Sequence, residues 1–145
     1  MLSINQSIYG LSKFSNVLSK SHVYESPSWG YSDKNSYFNL VVKLKTDLNE
    51  RQLMESILKI EKGLGRERSK ENRYHARTID LDIIFFDDLV LKSEDLIIPH
   101  PRYHKRNFVL VPLNDISPEL VCPVFKKTIK DLLIISDDLS KVSRL

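Results

Sequence analysis

The sequence is short of the residues and patterns that would assign it to several common classes. Its 145 residues include one cysteine, Cys122, so an internal disulfide and a cysteine-rich metal site are both excluded. Cys122 lies between Val121 and Pro123, where we expect a small buried apolar residue in preference to a nucleophile.

Long apolar runs, internal repeats and low-complexity tracts are also missing. No run approaches the length needed to span a bilayer, and residues 1–5 lack the basic start and apolar stretch of a secretory signal. The net charge of +3 at pH 7 favours an anionic small ligand but is too diffuse to argue for nucleic acid. We therefore expect a cytoplasmic protein with no membrane or nucleic-acid partner.

The chain does have the composition and length of one soluble globular domain. Hydrophobic residues make up 41% and charged residues 28% of the sequence, and both values are ordinary. A chain of 145 residues is long enough to bury a core. We expect a single domain over residues 1–145, present as a monomer.

The first half of the chain predicts a strand followed by a helix. Alternation over residues 38–44 puts Tyr37 and Asn39 on one face and four apolar residues on the core face: Phe38, Leu40, Val42 and Leu44. Asn49, with Gln52 three residues later, predicts a capped helix that Gly63 and Gly65 end. The apolar stripe of this helix is Leu53, Ile57, Ile60 and Leu64.

The second half predicts more strands and a last helix. An exposed loop over residues 66–76 leads into a central strand, Thr78–Phe86, which Asp87-Asp88 turns back into a hairpin strand over residues 89–91. The apolar run 108–113 is interpreted as a strand, and Thr128 with Asp131 begins a helix. Residues 134–145 are polar enough to fray. This order favours an α+β fold, with helices covering one face of a sheet.

Two acids in the central strand are the strongest indication of chemistry. In an extended strand Asp80 and Asp82 point to one face, about 7 Å apart, while Ile79, Leu81 and Ile83 point to the other. Paired carboxylates at this spacing suit a hard cation such as magnesium. The alternative is an edge strand whose solvent face happens to carry two acids.

Two basic loops flank this strand. The first carries Arg66, Arg68, Lys70, Arg73, His75 and Arg77. Cationic loops beside metal-ligand acids are typical of phosphoryl or pyrophosphoryl transfer, in which catalysis is mostly positioning and charge neutralisation. The second carries His100 and Arg106, which we interpret as phosphate or nucleotide contacts. A zinc pair of His100 and His104 is less favoured because Pro101 interrupts a helix. For both loops, an ordinary solvated surface is the alternative.

Aromatic residues could complete a ligand site. Trp29 lies in a loop where a large ring has little local reason to be exposed, and Phe108 follows the second basic loop. A flat heteroaromatic ligand could stack between such rings, with the Asn39 amide reading its edge. A plain core role for Phe108 is the alternative.

Six motifs in one unbroken order make the chain resemble the 6-hydroxymethyl-7,8-dihydropterin pyrophosphokinase family of folate synthesis. The resemblance covers about residues 23–133 and rests on the segments 23–30, 37–39, 60–68, 77–83, 99–108 and 111–120. It implies a ferredoxin-like α+β sandwich, mainly antiparallel, with helices packed on the sheet. It also implies an ATP-dependent diphosphotransferase that moves pyrophosphate from ATP onto the hydroxymethyl group of the pterin and leaves AMP.

The resemblance also implies a role for each matched residue. Asp80 and Asp82 would hold two magnesium ions, and Arg66 and Arg77 would act with them in catalysis by neutralising transition-state charge. Positions that the family uses for the nucleotide are Glu61, Arg68, Ile83, His100 and Arg106. Positions that enclose the pterin are Trp29, Tyr37, Asn39 and Phe108.

The start of the chain departs from the family pattern. Only 23 residues precede Tyr24, where a full strand, a Gly-Ser-Asn loop and a helix would take about forty. We therefore treat residues 1–22 as atypical or truncated: residues 2–7 are a remnant of that strand, or residues 1–12 are the end of the helix. A truncated, non-catalytic relative that binds ATP or pterin stays open as an alternative. A regulatory domain of the same architecture is disfavoured because it would not need Asp80 and Asp82.

Overall fold

The computed structural model describes residues 2–27, 36–66 and 79–145. The elements within these residues are, in chain order, α1 (Leu2–Leu11), β1 (Asn16–Lys20), β2 (Tyr24–Pro27), β3 (Ser36–Asn39), β4 (Val42–Lys45), α2 (Glu50–Glu61), β5 (Leu91–Lys92), β6 (Ile97–Ile98), α3 (Asn107–Ile116), α4 (Ile129–Ile134) and β7 (Ser143–Arg144). Short helical turns over Lys62–Arg66 and Tyr103–Lys105 follow α2 and precede α3.

These elements divide between two compact units. The first unit consists of Met1–Leu18 and Leu44–Ile83, and the second of Ser19–Lys43 and Ile84–Leu145. The division falls within β1 and within β4, and these two strands pair as a two-stranded sheet.

In the first unit, α1 packs against α2. A Cβ added to Gly10 would lie 3.2 Å from the Ile60 side chain, so the two helices approach closely at this glycine. Of the two alternatives for the start of the chain, the structure has the helix. The capped second helix is confirmed. Asn49 Oδ1 accepts the Gln52 N–H at 2.9 Å, and Gln52 Oε1 accepts the Asn49 N–H at 2.9 Å. Gly65 has φ of 102°, a left-handed value that favours glycine after a helix.

The buried stripe of α2 differs from the predicted one. Leu53 and Ile57 are buried as expected, but the next buried residue is Glu61. Ile60 and Leu64 are only partly buried. The difference follows from helix geometry, because Glu61 lies four residues after Ile57 and so on the same face.

The main sheet of the second unit has the order β3-β2-β7. Its antiparallel pairs place Tyr24 opposite Asn39 and Arg144 on either side of β2. The Leu145 N–H donates to the Val23 carbonyl at 3.0 Å. The end of the chain, which the sequence led us to expect to be frayed, therefore carries a paired strand.

The core of the second unit lies among its helices. Partly buried apolar side chains pack around this core. The core itself consists of six buried residues: Tyr103, Leu110, Leu113, Cys122, Ile129 and Leu132. Cys122 has no exposed surface, which confirms the apolar interpretation. Thr128 caps α4 by accepting the Asp131 N–H at 3.1 Å, as its sequence predicted.

A polar contact ties the start of β2 to α3. Asp115 on α3 accepts the His22 backbone N–H at 2.9 Å and lies 2.8 Å from Nδ1 of the His22 ring. These bonds, with the backbone bond the largest contribution, lower the pKa of Asp115. The carboxylate is thereby stabilised in its charged form.

The prediction of one continuous strand over residues 38–44 is wrong. The structure has two strands, β3 and β4, with different partners, and Leu40 and Val41 separate them. At this break Ser21 makes two hydrogen bonds to Val41, each 2.9 Å long. The Ser21 N–H donates to the Val41 carbonyl, and the Ser21 hydroxyl oxygen accepts the Val41 N–H. Phe38, expected in the core, is exposed.

The predicted hairpin around Asp87-Asp88 is also wrong. Residues 79–86, the described part of the predicted central strand, are not assigned to a strand, although a turn does follow them, with the Leu89 N–H bonded to the Phe86 carbonyl at 3.0 Å. The antiparallel pair is formed instead by β5 and β6. Alternation set which side chains are buried, but strand pairing depends on a partner that alternation does not specify.

The apolar run 108–113 is helical and belongs to α3, so its interpretation as a strand is wrong. Short apolar runs are ambiguous between strand and buried helix, and a proline inside a run generally disfavours a helix. Leu110, Pro112 and Leu113 are buried there, and their burial offsets the local cost of the proline.

The α+β class is confirmed, because the strands whose pairing is resolved are antiparallel and occur with four helices among the described residues. This content is consistent with the ferredoxin-like fold that the resemblance implies. Within the described ranges, no helix is long and apolar enough to cross a membrane.

Candidate active site

The predicted site residues fall in both units. Those described in the first unit are Glu61, Asp80, Asp82 and Ile83, and those described in the second are Tyr37, Asn39, His100, Arg106 and Phe108. Trp29, Arg68 and Arg77 lie outside the described residues. Of Arg66, only the backbone is described, at the end of the turn after α2.

The acidic segment, residues 79–83, has alternating exposure. Asp80 and Asp82 are exposed, Leu81 is partly buried and Ile83 is buried. This is the pattern that the sequence predicted for the two acids, even though no strand is assigned here. Both carboxylates are therefore on the surface of the first unit, where a cation and a charged ligand can reach them.

A buried carboxylate fixes the backbone of the acidic segment. Glu61, the last residue of α2, is 1% exposed, and its Oε2 accepts the backbone N–H of Leu81 at 2.8 Å. Leu81 is the residue between the two acids. The bond therefore joins the end of a regular helix to the peptide that links Asp80 to Leu81.

The donor set of the acidic segment fits magnesium. This ion is usually held by one or two carboxylates, with water and substrate phosphates completing its octahedral coordination. Asp80 and Asp82 supply two carboxylates, so a third protein ligand is not required. In the part of the chain that the structure describes, no three His, Cys, Asp or Glu side chains are grouped to hold a metal by themselves.

Tyr37 and Asn39 lie on β3 in the second unit. As alternate residues of one strand they point to the same face, and among the described residues β3 pairs with β2. Tyr37 is 54% exposed and Asn39 is partly buried. An exposed aromatic ring beside an amide can stack on a flat ligand and hydrogen-bond its edge.

The α3 start, residues 106–108, brings two more predicted residues together. The Arg106 guanidinium carbon lies 5.5 Å from the centre of the Phe108 ring, within the range of a cation–π contact. Arg106 is the N-cap of α3, yet its side chain makes no capping bond. Both side chains are partly exposed, so a cation and a ring face are available at one helix terminus.

Asn107, the residue between them, is held by residues 136–138 of the C-terminal segment, which follows α4. Asp138 Oδ2 accepts the Asn107 backbone N–H at 2.7 Å, and the Asn107 side-chain amide donates to the Asp138 carbonyl at 3.0 Å. The Ser136 hydroxyl donates to the Asn107 side-chain oxygen at 2.8 Å. Asp138 thus serves α3 as the missing cap, since it satisfies one of the free N–H groups at the helix N-terminus.

The bonds to Asp138 change its acidity. Burial alone would raise the pKa of its carboxyl, but hydrogen bonds from Ser140 and from the Asn107 N–H outweigh burial and lower it. The carboxylate is therefore charged throughout the neutral range, as an anion at a helix N-terminus should be.

His100 and His104 have different environments. The His100 N–H donates to the Ile84 carbonyl at 3.0 Å, and its Nδ1 accepts the Arg102 N–H at 3.1 Å. The His104 ring instead lies 4.6 Å from the Phe125 ring, and burial, followed by the Lys105 charge, lowers its pKa. A neutral ring in an aromatic contact suits packing, and no metal group among the described residues includes either histidine.

A groove in the first unit lies away from the predicted site residues that the structure describes. Its volume is about 650 Å³, and α1 and α2 line it, with Tyr9, Lys13, Lys59 and Ile60 among the lining residues. The predicted site residues that are described do not line this groove.

Sequence reasoning missed the two anchoring contacts. Glu61 was assigned a role only through the resemblance, although its place one turn after Ile57 on an apolar stripe signals a buried carboxylate. Nothing in the sequence signals the contact of Asn107 with Asp138, because the two residues are 31 positions apart.

Comparison with known proteins decides the family. A model of the family described as 7,8-dihydro-6-hydroxymethylpterin-pyrophosphokinase matches residues 1–118. The chain belongs to this family. The resemblance found in the sequence is therefore confirmed, and the match includes every predicted site residue.

Individual relatives agree with the family model. The chain is 35% identical over 128 residues to the 2-amino-4-hydroxy-6-hydroxymethyldihydropteridine pyrophosphokinase of Aquifex aeolicus, covering 88% of this chain and 79% of the relative. It is 42% identical over 104 residues to the protein of the same name in Bacillus subtilis, covering 72% and 61%. It is 45% identical over 108 residues to the folic acid synthesis protein fol1 of Pneumocystis carinii, covering 74% and 14%. The chain thus spans less than two thirds of the Bacillus relative and a small part of the Pneumocystis one.

Proposed function

We propose that this protein transfers pyrophosphate from ATP to 6-hydroxymethyl-7,8-dihydropterin and releases AMP, a step of folate synthesis. The observation that carries the proposal is the family match over residues 1–118. The exposed pair of Asp80 and Asp82 on an anchored backbone supports it, because this is the donor set that a magnesium-dependent transfer from ATP needs.

The acidic segment serves the triphosphate. When bound at Asp80 and Asp82, two magnesium ions supply positive charge to the phosphate oxygens. Arg66 and Arg77 add guanidinium groups, whose hydrogen bonds strengthen as those oxygens gain charge in the transition state. The remaining nucleotide contacts belong to the positions Arg68, Ile83, His100 and Arg106. Glu61, the other position that the resemblance gives to the nucleotide, is 1% exposed and bonded to the Leu81 N–H.

The pterin is held by stacking and by an amide. Trp29, Tyr37 and Phe108 supply rings, and Asn39 offers a donor and an acceptor to the edge of the heterocycle. These residues orient the hydroxymethyl group towards the β-phosphorus, which converts the reaction into an effectively unimolecular step.

The chemical step needs no covalent intermediate with the protein. The hydroxymethyl oxygen forms a bond to the β-phosphorus and loses its proton, while the bond from that phosphorus to the oxygen bridging to the α-phosphate breaks. The electron pair of the broken bond leaves with AMP. The role of the protein is to position the two substrates and to neutralise charge on the phosphates.

We further propose that the chain acts as one pyrophosphokinase domain, because a single family model runs through residues of both units. Its monomeric state, its cytoplasmic location and the absence of nucleic-acid or membrane partners stay predictions.

The direct test is an assay of the folded protein with ATP, Mg²⁺ and 6-hydroxymethyl-7,8-dihydropterin, with AMP and the pterin diphosphate separated by chromatography. We expect both products in equal amounts and neither when the pterin is omitted. Soluble, folded protein that releases no AMP would reject the activity. Titration of the same sample with ATP and with pterin would then show whether the chain only binds them.

A further inference from the structure

Glu61 occupies a place in which a carboxylate is costly. It is 1% exposed and lies on the same face of α2 as the buried residues Leu53 and Ile57. A charged or polar group buried among apolar side chains is unfavourable unless it is hydrogen-bonded. An apolar residue would suit the buried stripe of α2 better than glutamate. We therefore expect the Glu61 carboxylate to accept a hydrogen bond from a buried donor.

That donor is the amide in the middle of the acidic segment. Oε2 of Glu61 accepts the Leu81 N–H at 2.8 Å, a normal length for a charge-assisted bond. The side chains of Asp80 and Asp82 leave the backbone on either side of this amide, and both are exposed. No strand is assigned over residues 79–86, and among the described residues the acceptor for the Leu81 N–H is the Glu61 carboxylate.

We propose that Glu61 is a positioning residue: its carboxylate replaces a neighbouring strand as the acceptor for Leu81 and holds Asp80 and Asp82 in the geometry that binds the metal. The inference rests on the proposed function and deepens it. Glu61 serves the nucleotide indirectly, through the backbone of the acidic segment. The role requires a side chain long enough to bring an oxygen acceptor from the end of α2 to the Leu81 N–H, a property that we call reach. The negative charge of the side chain matters less than this reach.

Two conservative variants separate reach from charge. Glu61→Gln keeps the length of the side chain and an oxygen acceptor but removes the charge. Glu61→Asp keeps the charge but is one methylene shorter, so its oxygens fall short of the Leu81 N–H. Both changes are small enough to expect a folded protein.

The first readout uses the protein without ATP or metal. Amide hydrogen exchange measured by NMR should show Leu81 as slow in the unaltered protein and in Glu61→Gln. In Glu61→Asp it should exchange about tenfold faster or more, the change expected when one charge-assisted hydrogen bond is lost. The Ile57 amide, on the buried face of α2 in the first unit, and the Leu110 amide, in the buried core of the second, should be unchanged in all three proteins. They report on the folding of the two units.

The second readout is turnover as a function of Mg²⁺ concentration. Glu61→Asp should lower kcat about tenfold and raise the Mg²⁺ concentration at half-maximal rate, with the KM for pterin unchanged, and both effects should be larger than in Glu61→Gln. The reverse order would overturn the inference, since it would show that the charge of Glu61 acts on the ligand. Equal Leu81 exchange in all three proteins would also overturn it.

Failure of the inference and failure of the proposed function are distinguishable. An unaltered protein that releases no AMP refutes the proposed function while leaving the exchange of Leu81 interpretable. If Glu61→Asp does not fold, as fast exchange of Ile57 would show, Glu61→Gln still decides, because loss of Leu81 protection in that variant contradicts a role based on reach.

Discussion

The acidic segment and the α3 start are built in the same way in two separate units. In each, three consecutive residues present two side chains proposed to meet the ligands, and the middle residue is anchored through its backbone N–H. The anchors are both carboxylates: Glu61 for Leu81 at 2.8 Å and Asp138 for Asn107 at 2.7 Å. The anchors bond to the backbone, and the flanking side chains are exposed at Asp80 and Asp82 and partly exposed at Arg106 and Phe108.

The two anchors differ in where they come from. Glu61 is buried at the end of a regular helix, so the packing of α2 fixes its position. Asp138 is partly buried in a segment without regular structure. Its own N–H donates to the Ser136 hydroxyl oxygen at 3.2 Å, and its Oδ1 accepts the Ser140 N–H at 2.8 Å. The first anchor depends on helix packing, whereas the second depends on the C-terminal segment being in place.

The largest expected effect is at the acidic segment. Asp82→Ala should lower kcat by about 10²–10³, the loss typical of removing one group that stabilises transition-state charge. Its side chain is exposed, so we expect the free energy of unfolding to change by no more than about 0.5 kcal/mol. The measurements are AMP release at saturating substrates and urea unfolding.

Asp88→Ala is the matched control for Asp82→Ala. Asp88 is also an exposed acid, in the turn just after residues 79–86, and it should leave both turnover and stability unchanged. Normal turnover combined with a clear loss of stability in Asp82→Ala would contradict the placement of Asp82 at the ligand.

The next effect tests the α3 start. Arg106→Ala should lower kcat/KM for ATP about 10- to 100-fold, the range for loss of a hydrogen bond to a charged group. Arg102→Ala is the control, because Arg102 is an exposed arginine whose contact with His100 uses its backbone N–H. Equal kcat/KM values in the two variants would remove Arg106 from the nucleotide site and break the parallel between the two segments.

A smaller effect concerns the second anchor. Asp138→Ala removes the cap of α3 and should lower the free energy of unfolding by about 1–2 kcal/mol, as loss of a helix cap does. The neighbouring exposed residue gives the control, Asp137→Ala, which should be neutral. Urea unfolding of both variants checks the prediction. A loss in the control as large as that in Asp138→Ala would show that the C-terminal segment, and not the cap, is what matters.

The same contrast explains what could be predicted from the sequence. Exposure of Asp80 and Asp82 followed from alternation, and the cap of α2 by Asn49 followed from local side-chain chemistry. The anchors did not follow, because they join residues 20 and 31 positions apart. For the same reason, the central strand and the strand over residues 108–113 were mispredicted: burial is encoded locally, but the partner of each backbone group is not.

The smallest effect sharpens the comparison through pH. The pKa of Asp138 is lowered in the folded protein, so its carboxylate stabilises the fold fully above the usual value of 3.8 and loses this contribution as the pH falls through the lower, folded value. Asp138→Asn keeps an oxygen acceptor without the charge. We expect the unaltered protein to be more stable than this variant by less than about 1 kcal/mol at neutral pH, with a smaller difference near pH 3.

Urea unfolding of the two proteins at neutral pH and near pH 3 measures this difference. Asp115, whose pKa is also lowered, is present in both proteins, so its titration cancels when their free energies of unfolding are subtracted. Equal stability of the two proteins at neutral pH would mean that the acceptor geometry of Asp138, and not its charge, holds the α3 start. The second anchor would then work as we propose for Glu61, through reach, and the two segments would share one physical principle.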